Sequence, residues 1–350
     1  MTIRVGIVGC GFIGRLHSVV LGALVKAGLV DAVVAATYDT DRTRASALAE
    51  PHGARVAADL EDLVAGSDAI WVCTWTAAHE HVVALAAGQG RAVFCEKPLA
   101  PSLRESETVA QLLETVPHQV GLVLRYAPVF RSAADAVGSG RYGRPLAALL
   151  RDDQYFPNQG QYASEWRADV ARAGGGTLLE HSIHDVDVLT WILGAPVSVR
   201  AEVANRFGYD GIDDVAVLTL GLEDGSHATL LSLWHQVLTR GSNRRLEVFC
   251  EDAFLWADDD YLGPLHVETA TGGEAITSEL PEWAVQLVVP EQYLAPIAQY
   301  AEPTKSFLDA LTSGHARGWP DAETARAAHR VVDAAYRSAA AGGSATRIEG

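Results

Sequence analysis

Apolar residues first appear as a short unbroken run at 3–8, which reads as a buried strand. Phe12, Leu16, Val19, Val20, Ala23, Leu24 and Ala27 follow at helical spacing, and Gly28 fits the stop. The alternation then repeats. Strands are predicted at 32–37, 69–73, 92–95 and 119–124, with helical stretches at 41–49, 59–65 and 77–87. A further helix begins at Ser102, whose spacing to Glu105 is that of a capping box. Strands alternating with helices predict a doubly wound parallel sheet.

The alternation ends after residue 124, where Arg125-Tyr126-Ala127-Pro128 marks a crossover. A helix at 127–137 and a strand at 146–152 follow. Residues 155–173 are polar and aromatic without clean periodicity, as functional loops often are. Gly174-Gly175-Gly176 leads into a strong helix at 177–193, stopped by Gly194 and Pro196. Its apolar face carries Leu178, Leu179, Ile183, Val186, Leu189, Ile192 and Leu193. Glu180, His184 and Asp187 lie opposite, with His181 one position off. Strand-like runs then succeed one another at 197–207, 214–222, 227–235, 245–250 and 254–257. Glu223-Asp224-Gly225-Ser226 is a hairpin turn between two of them. They predict a large, open, mostly antiparallel sheet. Residues 229–233 are apolar toward both faces, so the outer face is expected to meet a partner chain. Helices at 292–313 and 322–340 close the chain. The expected fold is therefore α/β plus α+β, with domains at 1–125 and 126–350.

Length agrees with two cores, since 350 residues exceed most single ones. The net charge of −17 repels phosphate backbones and acidic lipid, which argues against nucleic acid and membrane as partners. No apolar run reaches membrane-spanning length, and the amino terminus enters strand-like sequence without a basic n-region. Cys10, Cys73, Cys95 and Cys250 form no C-x-x-C pair and read as buried thiols of a reduced compartment. The expectation is a soluble cytoplasmic protein.

Candidate chemistry lies at the ends of the predicted strands. Gly9-Cys10-Gly11-Phe12-Ile13-Gly14 is a G-x-G-x-x-G between a strand and a helix. Its glycines allow the tight turn, the approach of a pyrophosphate, and close helix–strand packing, while the helix start holds phosphate. Asp39 ends the second strand, where a carboxylate accepts from ribose hydroxyls and repels a 2′-phosphate. The alternative role for Asp39 is a helix cap. NAD is the expected cofactor. NADP is left open by Arg42 and Arg44 close behind. Phe94-Cys95-Glu96-Lys97-Pro98 puts two charges at a strand's carboxyl end. Glu180 and His184 stack one turn apart on a regular helix, where the acid orients the imidazole for proton transfer, unless the pair is merely a surface contact. His79 and His81 point to different faces of a helix, so they do not chelate together. Both are expected as solvent or capping histidines, with His79 close to the cofactor because it follows a central strand. A metal held by His181, His184 and Glu180 or Asp187 is the weaker alternative, and no metal is expected.

In order and spacing, Gly9–Gly14 with His17, Thr74–His79, Glu96-Lys97-Pro98, Trp166-Arg167 and Gly174–Asp187 resemble one family. It is the glucose–fructose oxidoreductase / inositol dehydrogenase / MocA family of NAD(P)-dependent oxidoreductases, and the resemblance spans nearly the whole chain. It implies a Rossmann domain followed by a substrate and oligomerisation domain. It implies that Gly9, Gly11, Phe12, Ile13, Gly14, Asp39, Thr74, Thr76, His79, Glu96, Lys97, Trp166 and Arg167 bind the cofactor. Pro98 would follow a cis peptide bond. Lys97 and His184 would handle the proton, with Glu180 beside them. Lys97, Trp75, Arg125, Trp166, Arg167, His181 and His184 would meet the substrate. Two places depart from the family's pattern: Glu180 and Ser182 stand where Asp and Gly are usual, and Trp75 where Pro is usual.

The implied reaction moves a hydride between the nicotinamide and a secondary alcohol or ketone of a sugar, cyclitol or sugar derivative. The alternatives are a non-catalytic NAD-linked binding or regulatory protein, and an NAD-dependent enzyme that cleaves glycosides. A homodimer or homotetramer through the C-terminal sheet is expected.

Overall fold

The computed structural model describes residues 2–314 and 318–349. Its contacts divide the chain into two compact units. One runs to Val123 and resumes from Leu280 to Arg326. The other runs from Leu124 to Glu279 and resumes at Ala327.

The first unit begins β1 (Ile3–Val8), α1 (Phe12–Lys26), β2 (Ala32–Tyr38), α2 (Arg42–Ala49) and β3 (Arg55–Val56). It continues α3 (Leu60–Ala65), β4 (Ala69–Val72), α4 (His79–Gly88), β5 (Ala92–Cys95), α5 (Leu103–Leu113) and β6 (His118–Val120). The six strands form one parallel sheet in the order β3-β2-β1-β4-β5-β6. Strand order reverses between β1 and β4, and a dinucleotide binds outside the carboxyl ends of the strands at such a switch point. Every residue of β4 and β5 is buried, because helices cover both faces. Ser102 caps α5 as predicted, its hydroxyl oxygen accepting from the Glu105 N–H, but the Glu105 carboxylate accepts from the Ser102 hydroxyl rather than from its backbone N–H as a capping box requires. The strand predicted to 124 ends at Val120. There the Val120 N–H turns to the Pro320 carbonyl and the chain enters a 3-10 turn at Val123–Tyr126.

The second unit contains α6 (Pro128–Gly138), β7 (Pro145–Tyr155), α7 (Val170–Ala173) and α8 (Ile183–Leu193). Next come β8 (Pro196–Ala204), β9 (Val215–Leu222), β10 (His227–His235), β11 (Asn243–Cys250) and β12 (Ala253–Ala257). The hairpin β13 (Leu265–Thr269) and β14 (Gly272–Ile276) was absent from the apolar pattern because all of β14 is exposed or half-exposed. With β15 (Thr346–Arg347), nine strands lie in the order β14-β13-β12-β11-β7-β10-β9-β8-β15. All neighbours are antiparallel except β7 and β10. Alternate residues of β7, β9, β10 and β11 point inward, among them Leu150, Leu218, Leu230 and Val248. The opposite face keeps Leu149, Val217 and Phe249 exposed.

The chain's last helices are α9 (Leu294–Thr312) and α10 (Ala322–Ala340). Residues 280–326 cluster with the first unit, whereas the sequence boundary assigned everything after 125 to the second. The reason is apolar packing. Ile297 and Ala301 of α9 pack with Val20 and Leu24 of α1, and Phe307 packs with Trp71 and Phe94. Among the described residues, no helix is long and apolar enough to cross a membrane.

Candidate active site

The glycine turn joins β1 to α1. Gly9 has φ +89°, and a Cβ there would lie 2.5 Å from the Cys73 carbonyl oxygen and 2.8 Å from the Thr74 nitrogen. A Cβ on Gly14 would lie 2.0 Å from the Gly9 carbonyl oxygen. Both are therefore demanded by the fold itself. Gly11 differs: its φ is −73° and a Cβ would meet nothing within 4 Å. Nothing in the chain requires glycine there, and the bare backbone leaves room for a pyrophosphate to approach. Phe12 and Ile13 open α1, whose first turn has no acidic residue and no side-chain cap. Its dipole and N–H groups suit a pyrophosphate.

Asp39 follows β2 with its carboxylate turned to this turn. Oδ2 accepts from the Cys10 N–H at 2.7 Å and Oδ1 from the Asp41 N–H at 2.8 Å. The cap of α2 is Asp41, not Asp39. Burial, then the Asp39 charge, pushes the Cys10 thiol up to about 12, so it stays protonated. At the end of β4, Thr74 Oγ1 is buried with no hydrogen-bond partner. Trp75 and the buried Thr76 begin a 3-10 turn that leads into α4. A gap at Gly11, an uncapped helix and an orphan hydroxyl at the switch point together fit a dinucleotide.

His79 was expected as a solvent or capping histidine, and it is buried instead. Nδ1 lies 2.9 Å from the Pro98 carbonyl oxygen and Nε2 3.3 Å from that of Thr74. Burial lowers its pKa, so the ring is held neutral. His81, two residues on, is exposed. The Lys97–Pro98 peptide is cis. Glu96 is buried, with Oε1 2.7 Å from His17 Nε2 and Oε2 accepting from the Lys97 N–H at 3.3 Å. Lys97 itself is half-buried.

In the second unit the predicted helix at 177–193 is not continuous. Thr177–His181 is π-helical, Ser182 breaks the run at φ −80° and ψ 5°, and α8 follows. Glu180 and His184 thus lie on either side of a break rather than one regular turn apart. Such short π segments recur at functional sites. Asp213, which the sequence reading missed, holds the start: its carboxylate accepts from the Gly176 and Leu178 N–H groups at 2.8 and 3.0 Å and from Tyr336 at 2.8 Å. Burial raises the Asp213 pKa, and these donors oppose it.

The polar side of α8 is not a solvated face, because His184, Asp185 and Asp187 are all buried. Arg125 takes Asp187 bidentately at 2.7 and 2.8 Å and lies over Trp191. The substrate role implied for Arg125 thus competes with a buried ion pair. Glu180 lies 3.4 Å from the Arg167 guanidinium, which stacks on Trp166 at 4.5 Å. Trp166 in turn packs on the cluster of Phe156, Ile212 and Trp234. His181 Nε2 is 2.8 Å from Asp152 Oδ2 and 3.2 Å from Arg244. The buried Arg244 also bonds Asp152, Asp185 and Asp260. Burial raises the Asp185 carboxyl to about 7, Arg244 opposing and Asp152 adding to it. Among the described residues, no group of three His, Cys, Asp or Glu is arranged to hold a metal. Glu180, His181 and Asp187 are instead paired as above.

An open turn beside Asp39 at the switch point of a parallel sheet is what a nicotinamide dinucleotide needs, and the chain is an NAD-binding oxidoreductase. Its family follows from the comparisons. Residues 3–122 match the oxidoreductase family with an NAD-binding Rossmann fold, and residues 130–255 match the GFO/IDH/MocA C-terminal domain. The chain is 30% identical to the uncharacterized oxidoreductase YrbE of Bacillus subtilis over 85% of each chain. It is 29% identical to inositol 2-dehydrogenase of Rhizobium meliloti, over 97% of this chain and 98% of that one. A solved structure of a putative myo-inositol dehydrogenase from Sinorhizobium meliloti superposes with a TM-score of 0.78 at 25% identity, covering 99% of this chain and 100% of that one. The chain belongs to the glucose–fructose oxidoreductase / inositol dehydrogenase / MocA family.

Proposed function

We propose that this protein is an NAD-dependent dehydrogenase of a sugar or cyclitol, in which Lys97 and His184 handle the proton of the reacting hydroxyl. Bound NAD supplies the hydride acceptor. Gly11, the start of α1 and Asp39 hold its phosphates and adenosine ribose. The anionic Asp39 favours NAD over NADP. The Lys97 ammonium stabilises the alkoxide that develops on the substrate oxygen, and the His184 imidazole takes the proton. His181, held by Asp152, and Trp166-Arg167, held on Glu180, bind the substrate's other hydroxyls. The observation that carries this reading is the Glu96-Lys97-Pro98 segment. It delivers a lysine from the carboxyl end of β5 and is fastened by His17 before it and His79 after it. The likeness to inositol 2-dehydrogenase supports a polyol substrate.

The deciding experiment follows reduced nicotinamide absorbance with NAD and NADP against inositols, aldoses and anhydro-sugars. Reduction of NAD by at least one polyol is the expected result. Absence of NAD binding by calorimetry would overturn the whole reading. We further propose a cytoplasmic homo-oligomer that pairs through the outer sheet face around Leu149, Val217 and Phe249. Light scattering on the wild type and on Leu149→Glu tests the association.

A further inference from the structure

We propose that His17 is a positioning residue for Lys97, acting through Glu96. The inference rests on the dehydrogenase reading above and adds to it a part that lies beneath the reacting edge. Glu96 directly follows β5, whose carboxyl end faces the cofactor site, so a cofactor contact is the first role one would assign to it. Its surroundings point elsewhere. The residue is 6% exposed, and each oxygen is engaged within the unit, Oε1 by His17 Nε2 at 2.7 Å and Oε2 by the Lys97 N–H at 3.3 Å. Gly121 forms the opposite wall: a Cβ there would lie 2.8 to 2.9 Å from the carboxyl carbon and both oxygens. The carboxylate fills a slot that only glycine leaves open.

His17 is equally fixed. It is 1% exposed and stands edge-on to Phe94 and Tyr300, with ring centroids 5.1 and 6.1 Å away. Its Nδ1 is buried without a hydrogen-bond partner. A proton at Nδ1 would be an unmet donor in an aromatic slot, costing about 1–3 kcal/mol. The ring proton therefore belongs on Nε2, where it meets the carboxylate in a charge-assisted bond. The chain of contacts runs from His17 through Glu96 to the main-chain nitrogen of Lys97. On the far side, His79 holds the next carbonyl, that of Pro98, at 2.9 Å. Two histidines thus bracket the backbone whose Cα–Cβ direction aims the ammonium. Displacing a reacting group by about 1 Å costs on the order of 100-fold in rate, so the bracket has a kinetic consequence.

The test compares His17→Leu, which fills the slot without a donor, with His17→Gln, whose side-chain amide can reach Glu96. Positioning predicts that His17→Leu lowers kcat about 30- to 100-fold while the NAD dissociation constant moves less than about threefold, and that His17→Gln recovers most of the loss. Weakened NAD binding with unchanged kcat would assign the pair to the cofactor and overturn the proposal, as would unchanged kcat in His17→Leu. A second measurement needs no turnover. The chain has three lysines, Lys26, Lys97 and Lys305. Selective ¹⁵N-lysine labelling therefore yields three amide cross-peaks. The Lys97 peak should move in His17→Leu and return in His17→Gln, with Lys26 and Lys305 unmoved. An unmoved Lys97 peak overturns the proposal even if no substrate is found. A moved peak without dehydrogenase activity leaves the bracket standing and removes the functional reading instead.

Discussion

The Nε2 of His181 lies 2.8 Å from Oδ2 of Asp152, and the same carboxylate oxygen accepts from Arg244 at 3.1 Å. Asp152 is on the inner face of β7, while His181 closes the π-helical turn. One buried acid therefore joins the sheet to the segment that carries Glu180 and His184. Arg244 balances Asp152 and Asp185 within this network, with His181 beside Asp152. Arg244→Leu leaves these carboxylates buried without their counter-ion. A loss of about 3–5 kcal/mol is expected, read from the urea midpoint at pH 7.

Asp185 gives this network a pH dependence. Its pKa is raised by burial to about 7 in the fold, against an ordinary value of 3.8. The folded chain therefore binds this proton more tightly than the unfolded chain does. That contribution to stability is present below pH 4 and is lost as pH rises through about 7. Asp152, also raised by burial, acts in the same direction. Asp185→Asn should flatten the fall in stability between pH 4 and 7 relative to wild type. A parallel pair of stability–pH curves would contradict this.

Gly11 and Gly14 should separate cofactor binding from folding. Gly14→Val drives side-chain atoms into the Gly9 carbonyl, so the variant should melt well below wild type or fail to fold. A Cβ at Gly11 meets no protein atom within 4 Å, so Gly11→Ala should melt within about 4 °C of wild type, yet bind NAD more weakly by calorimetry.

Lys97→Ala and His184→Ala should each lower kcat at least about 100-fold, with NAD affinity within a few-fold of wild type. Stopped-flow measurement of the first turnover distinguishes a lost chemical step from slow product release. Full activity in either variant would remove that residue from the proton path.

Replacing Asp39 by Ser should narrow the preference for NAD over NADP, because the charge that repels a 2′-phosphate is gone. It should also free the Cys10 N–H that the carboxylate now holds. The ratio of kcat/KM for the two cofactors is the readout.

Much of the architecture was legible along the chain. Strand β10 and helix α10 have the limits that their apolar periods predict, and the glycine turn lies between strand and helix as its spacing requires. These features depend on neighbours a few residues apart, and local pattern reports them directly. Elements whose residues are polar on every side, such as β14, left no such trace.

The residues that equip the site were legible only as types. The sequence named Lys97, His184, Glu180 and Asp39 from their positions at strand and helix ends. It did not name their partners: Asp213 beneath the π-helical turn, Arg244 among three acids, or the carboxylate slot between His17 and Gly121. Those contacts join residues 16 to 123 positions apart. Their existence depends on which strands lie side by side and how deeply each charge is buried. Local periodicity carries the choice of helix or strand. The pairing of buried charges is set by desolvation, which exists only once the chain has closed around them.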